Sequence, residues 1–358
     1  KKEIEDELNQ LSKKKMSRYT DSKEEVKADN PYSRLFALKK MKIVPNYQDF
    51  SVKTAVIVGI GGVGSVLSEM YVRMGIGKLI LYDYDRVELA NMNRLFYTPS
   101  QAGLSKVKAA AETLQSISEE VDIVTHDINI TSSSYMDDFI LTLKTGGIHG
   151  KPVDLLFCCV DNYSARIAVS TACNASQTTW FESGVSEDAL SAHIQLMIPG
   201  ETACFACMPP LSFVENSENS IKREGVCTAS LPTTMALTAA LLAQNGLKYL
   251  LEFDNASLYA RYDSRSDALL KSQFVPNPEC LDKNCRKQQK RVLDSEVKLL
   301  SQKKIAVKKH KKQTSETKGD EFVDIYGIEL IDESESSNPK LISDAEAKNF
   351  TLSELMKQ

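Results

Sequence analysis

The sequence predicts an α/β protein: a Rossmann-like domain whose mostly parallel sheet is flanked by helices. Three observations carry this expectation. Apolar strand-like runs alternate with helical patterns from residue 55 to residue 198. A glycine-rich turn joins the first run to the first helical pattern. Acidic residues close the next apolar run.

The elements follow in order. Residues 55–58 are β-branched and strand-like, and residues 66–74 set apolar side chains at helical spacing. Residues 79–82, 121–125, 155–160, 179–181 and 193–198 read as further strands, with helices over 106–117 and 164–176. The run LPTTMALTAALLAQNGLKYLL reads as one buried helix, with Ser230 as its cap and Pro232 in its first turn.

The bulk numbers exclude several classes. Of 358 residues, 42% are hydrophobic and 26% charged, which suits a soluble protein with a real core. A net charge of -4 gives no field that favours nucleic acid or a membrane surface. No apolar run reaches the roughly 20 residues that span a bilayer. The first residues are charged throughout and lack the apolar core of a signal peptide. The expected location is therefore cytoplasmic, nuclear access included, and the eight cysteines are expected as thiols, metal ligands or nucleophiles rather than disulfides.

The organisation expected is a polar extension over residues 1–28, a globular domain over 29–290 and a basic linker over 291–320. Beyond it come an apolar-acidic island at 321–333, a linker at 334–346 and a terminal segment at 347–358. Both tails are expected to be flexible. There is no internal repeat.

Gly59, Gly61, Gly62 and Gly64 follow the first strand and open a helix. Glycine permits the tight turn and lets backbone N–H groups approach an anion, and the helix N-terminus adds partial positive charge. Asp83 and Asp85 come about 20 residues later, where a carboxylate accepts ribose hydroxyls. Asn91, Arg94 and Lys106 follow. Extra fixed cations suit a triphosphate, whose α-phosphorus gathers charge as it is attacked, better than a nicotinamide cofactor. Asp161 ends the apolar run DLLFCCVDN, a position over the ligand crevice from which a carboxylate can hold Mg²⁺. Taken singly, Arg94 or Lys106 would read as a surface ion pair; their order after a glycine turn argues otherwise.

Two close thiol pairs, Cys204 with Cys207 and Cys280 with Cys285, match a tetrahedral Zn²⁺ site. Four sulfur ligands leave no open position, so this metal would be structural. The rival reading is four independent core cysteines. Cys158, Cys159 and Cys173 read as small core residues. Cys227 stands apart in KREGVCTASLPTT: Arg223 precedes it and a helix starts soon after. A cation and a helix N-terminus both favour a reactive thiolate.

The motifs GIGGVGS, YDYDRVELANMNR, AGLSKV and CVDN, with the paired cysteines, occur in an order that resembles the adenylating enzymes of ubiquitin-like proteins. That family includes the bacterial molybdopterin- and thiamine-pathway enzymes, and the resemblance covers roughly residues 30 to 290. NPYSRLFALKKM, PGETACFAC, REGVCTASLPTT and NPECLDKNCRKQQ resemble its short, homodimeric branch, which activates ubiquitin-fold modifier.

The resemblance implies an adenylation domain that uses ATP and Mg²⁺ and carries structural zinc. It sets the four glycines and Arg94 on the phosphates and Asp83 on the ribose. Lys106, Asn129, Asp161 and Asn162 would line the ATP site, and Arg34 would reach the ATP of a partner subunit. Cys227 becomes the catalytic cysteine, and the modifier passes to a conjugating enzyme. The tail islands read differently with and without it. Ile325, Tyr326, Ile328 and Leu330 lie in DIYGIELIDE, on composition an acidic linker, although Ile328 and Leu330 share a face of an extended chain. The resemblance favours binding of the modifier and of autophagy-type ubiquitin-like proteins. Leu352, Leu355 and Met356 stand at helical spacing, and the resemblance implies docking of the conjugating enzyme. The rival functions are a sulfur-carrier adenylyltransferase, an NAD-dependent oxidoreductase and a noncatalytic scaffold.

Overall fold

Strand β1, Thr54–Val58, is buried at every position, as a central strand covered on both faces must be. Each Val or Ile it hides from water is worth about 1.5–3 kcal/mol. The computed structural model describes residues 32–208 and 229–295, all within the first of two units, Lys1–Leu299.

The elements run α1 (Ser33–Lys40), β1, α2 (Gly64–Met74), β2 (Lys78–Tyr82), α3 (Lys106–Ile117), β3 (Asp122–His126), α4 (Ser133–Thr145) and β4 (Leu155–Cys158). They continue with α5 (Tyr163–Ser176), β5 (Trp180–Val185), β6 (Ser191–Met197), α6 (Pro232–Leu251), β7 (Tyr259–Asp263) and β8 (Ala268–Ser272). A last helix, α7, covers residues 283–295. The eight strands form one sheet in the order β3-β2-β1-β4-β5-β6-β7-β8. The first five are parallel and the last three join antiparallel. The mostly parallel sheet flanked by helices is as expected.

Strand alternation sorts the core into two layers. Ala55, Ile57, Leu79, Leu81, Leu155 and Phe157 pack with α2, α3 and α6. Val56, Val58, Ile80, Tyr82, Leu156 and Cys158 pack with α4, α5 and the paired cysteines. Cys158 and Cys173 are core residues as expected, and burial pushes the Cys158 thiol up to about 12. Among the described residues no helix is long and apolar enough to cross a membrane.

One expected detail is corrected. Ser230 does not cap α6: the helix starts one residue later, with extended Leu231 at the capping position and no side-chain cap. The Ser230 hydroxyl instead lies 3.4 Å from Met235 Sδ, while its carbonyl accepts from Asn93 Nδ2 at 3.2 Å. Pro232 is the first helical residue, where its missing N–H costs nothing.

Candidate active site

The parallel strand order reverses between β1 and β4, and ligands of such sheets bind outside the carboxyl ends of the strands at that point. Gly59 leaves β1 there with φ 89, a left-handed conformation that side chains resist. A Cβ on Gly59 would stand 2.7 Å from the Cys159 carbonyl oxygen, and one on Gly64 would stand 1.9 Å from the Gly59 carbonyl oxygen. The turn is therefore folded tightly on itself and against the end of β4.

Arg94 lies across this turn. A Cβ on Gly61 would meet its Nη1 at 3.8 Å, and one on Gly62 would meet its Cδ at 3.3 Å. Arg94 Nε is buried and has no hydrogen-bond partner. A buried cationic donor left unsatisfied over a glycine turn calls for an anion, and a phosphate oxygen fits. Asn91 is buried and serves the loop: its Oδ1 accepts from Glu88 N at 3.2 Å, closing the turn that delivers Arg94.

Lys106 opens α3 and is 7% exposed. Its Nζ donates to Asp85 Oδ2 at 2.7 Å, and its N–H donates to Asp85 O at 3.0 Å. Asp83 accepts from Ile60 N at 2.7 Å and from Asp85 N at 2.8 Å. Burial raises the Asp83 carboxyl above its ordinary range, while Lys106 and the backbone donors pull it back. Tyr97, buried, ties these parts together: its hydroxyl lies 2.7 Å from Ile60 O and 3.3 Å from Lys106 O. Sequence reasoning missed Tyr97, because nothing local marks a tyrosine that bridges two distant carbonyls.

Asp161 is exposed three residues past β4. Asn162 caps α5 by accepting from Ala165 N at 2.8 Å, so its oxygen is engaged by the helix. Asn129 sits past β3 and folds its own loop, accepting from Thr131 N at 3.0 Å. The carboxyl ends of β1, β2, β3 and β4 thus gather the four glycines, Asp83, Arg94, Lys106, Asn129, Asp161 and Asn162 on one side of the sheet. Arg34 is exposed on α1, a helix preceded by Tyr32, whose hydroxyl lies 3.3 Å from Ser118 just past the far end of α3. The described contacts bring Arg34 to none of the crevice residues.

The start of α6 stands over the same turn. A Cβ on Gly62 would fall 2.1 Å from Met235 Sδ, and Ser230 O accepts from Asn93, the neighbour of Arg94. Sequence reasoning missed Met235, which reads as one more apolar residue of α6. Cys227 lies outside the described residues, as do Ile325, Tyr326, Ile328, Leu330, Leu352, Leu355 and Met356.

On the opposite face, Cys204, Cys207, Cys280 and Cys285 converge with all four sulfurs within 4.8 Å of one another. Three sulfur pairs, 204–207, 204–280 and 207–285, lie at 3.7 Å. The edge of a ZnS₄ tetrahedron with bonds of about 2.3 Å is about 3.8 Å, so the residues fit that ion. Asn277 N donates to Cys207 Sγ at 3.4 Å and Gln289 Nε2 to Cys285 Sγ at 3.3 Å, the outer bonds that soften thiolate charge. Burial and the neighbouring Cys204 sulfur push the Cys280 thiol up, so a full set of thiolates needs a cation.

The ThiF family model matches residues 32–287. The chain is 53% identical over 311 residues to ubiquitin-like modifier-activating enzyme 5 of Drosophila melanogaster, covering 86% of this chain and 75% of that protein. It is 49% identical over 331 residues to the protein of that name from Rattus norvegicus, covering 91% and 78%. A crystal structure of E. coli MccB with succinimide aligns with a TM-score of 0.60 at 20% identity, over 72% of this chain and 74% of that one. This last likeness speaks for the fold.

Proposed function

The chain belongs to the ThiF family and is an activating enzyme for a ubiquitin-like modifier; on that premise we propose that it adenylates the C-terminus of ubiquitin-fold modifier and then carries it as a thioester on Cys227. The observation that carries the nucleotide half is the buried Arg94 Nε, unsatisfied over a glycine turn at the switch point of the sheet.

In the first step a carboxylate oxygen of the modifier's terminal glycine attacks the α-phosphorus of ATP. The bond to the bridging oxygen breaks and pyrophosphate leaves. The chain's task is to hold the phosphates in line and offset charge. The Gly59–Gly64 turn offers backbone N–H groups, and Arg94 offers its free Nε. Lys106, steered by Asp85, offers a second cation. Asp83, fixed by two backbone donors, stands ready for the ribose hydroxyls. Asp161 is the residue to hold Mg²⁺, which when bound neutralises phosphate charge.

In the second step the Cys227 thiolate attacks the acyl carbon, the bond to the AMP oxygen breaks and AMP leaves. The hydrogen bonds made by Ala229 and Ser230, two and three positions after Cys227, support this reading. Ala229 N–H donates to Glu187 O at 2.9 Å, and Ser230 is bonded to Asn93 beside Arg94. Zinc in the four-cysteine cluster is read as structural. A homodimer, with Arg34 serving the partner, and tail docking of the modifier and the conjugating enzyme complete the proposal.

The test mixes the protein with Mg²⁺, ATP and a panel of ubiquitin-like proteins. A thiol-sensitive adduct with ubiquitin-fold modifier is expected, lost in Cys227→Ala while modifier-dependent pyrophosphate exchange persists. An adduct that survives in Cys227→Ala rejects the cysteine, and exchange with none of the modifiers rejects the whole reading.

A further inference from the structure

One buried charged group has no part in that mechanism. Arg166 lies on α5 with its side chain 14% exposed, and it forms an ion pair with Glu182 on β5, whose side chain is 2% exposed. Its Nη2 donates to Val160 O and its Nη1 to Ser183 O, each at 2.9 Å. Ser183 in turn donates from its hydroxyl to Cys158 O at 2.9 Å. One guanidinium therefore stitches the segment after β4 to the neighbouring strand, and the carbonyl it grips belongs to the residue just before Asp161.

The same group reaches the four-cysteine cluster. Arg166 Cζ lies 5.9 Å from the ring centroid of Phe205, the residue that follows Cys204. The Phe205 ring also packs on Tyr163, at 5.4 Å between centroids, and Tyr163 is the first residue of α5, two beyond Asp161. Phe205 is carried by a turn pinned at both Cys204 and Cys207. A fixed fork of donors is the feature that lets arginine hold two carbonyls and an aromatic face at once, and lysine cannot reproduce it.

We infer that Arg166 is a positioning residue for adenylation: with Glu182 and Phe205 it fixes the Val160–Asn162 turn against the sheet and couples the four-cysteine cluster to the nucleotide crevice. The inference rests on the reading of that turn as part of the ATP site. Without the guanidinium, Val160 O and Ser183 O lose their donor, and Asp161 loses its fixed approach to the phosphates. The cluster then acts, through the layer it shares with α5, on chemistry at the carboxyl ends of the strands without touching any reactant.

The experiment measures Mg·ATP binding by titration calorimetry, and KM and kcat for pyrophosphate exchange, on full-length protein. It compares Arg166→Gln, Arg166→Lys and Phe205→Leu, with Asp161→Asn as the reference. Zinc content and melting temperature are recorded for each. Loss of two charge-assisted hydrogen bonds predicts Mg·ATP affinity weaker by about tenfold or more in Arg166→Gln. Arg166→Lys, which keeps the charge, should recover part of it, and KM for the modifier should stay unchanged. Phe205→Leu should keep its zinc and weaken Mg·ATP by about two- to threefold.

A purely structural arginine would lower the melting temperature or zinc content and leave the affinity of the folded fraction intact. Wild-type Mg·ATP affinity in folded, zinc-loaded Arg166→Gln therefore overturns the inference. If that variant does not fold, Arg166→Lys is read by the same criterion. Asp161→Asn separates the two claims: impaired there but normal in Arg166→Gln, the ATP-site reading stands and the positioning role falls.

Discussion

Removing metal from the four-cysteine cluster is the perturbation whose size the structure best defines. The cluster joins Cys204 to Cys280 across 76 positions of chain, with every sulfur on a residue no more than 7% exposed. A single cross-link closing a loop of that length restrains the unfolded chain by about 4.5 kcal/mol. Zinc-bound thiolates supply at least that restraint, and the large remaining core keeps the loss below the full binding energy of a zinc-finger site, about 10–16 kcal/mol. For a domain of this size a loss of that minimum lowers the melting temperature by about 9–18 °C, and a larger loss lowers it further. A built-in reporter exists: Trp180, the single tryptophan of the chain, is 1% exposed and packs in the same buried cluster as the four cysteines. The assay is elemental analysis followed by thermal melts with and without a chelator, read by Trp180 emission. About one zinc per chain, a lowered melt and a red-shifted emission are expected. Protein purified without metal that melts at the same temperature in chelator, with unchanged emission, would refute the reasoning.

Three further outcomes follow from the same geometry. Gly64→Ala sets a Cβ 1.9 Å from the Gly59 carbonyl oxygen, so it should cost about 1–3 kcal/mol and abolish ATP binding; a folded variant with normal ATP affinity would contradict the turn described. Lys106→Ala should change stability by less than about 1 kcal/mol, because its partner Asp85 is half exposed, yet cut pyrophosphate exchange by more than about tenfold; the reverse pattern would make Lys106 structural. Burial, with Arg166 and Arg261 adding, lowers His193 from 6.5 to about 4. The unfolded chain thus binds an extra proton between those values, so stability is full above pH 6.5 and falls by at most about 3 kcal/mol as pH drops toward 4. Denaturant titrations at pH 7 and 4.5 should show this loss in the wild type and a flatter profile in His193→Asn, and equal slopes would reject it.

The parallel half of the fold was legible because its central strands β1, β2 and β4 are buried on both faces and so stay almost wholly apolar. The glycine turn and the two cysteine pairs were legible because their chemistry fixes spacing. β7 and β8 were not, since Tyr259–Asp263 and Ala268–Ser272 mix charges with apolar residues on a sheet margin open to solvent. α1 escaped for a related reason: of its residues only Ser33 is fully buried. Arg166 and Glu182 look like ordinary surface charges in a linear reading. Their burial depends on α5 lying against β5, a juxtaposition no local pattern reports. Ser230 misled because a serine before Leu-Pro-Thr-Thr suits a cap by type, while Asn93 and Met235, distant or downstream, claim its polar atoms.

The spacing of the paired cysteines also has a consequence for biogenesis. The nucleotide half of the sheet leaves the ribosome first, followed by Cys204 and Cys207 as a half-made ligand set. Nothing can complete that set until translation has delivered Cys285, after α6 and the β7–β8 hairpin. On the zinc reading proposed above, metal capture is a late event in synthesis, and a nascent chain halted short of Cys280 carries Cys204 and Cys207 as two unligated thiols.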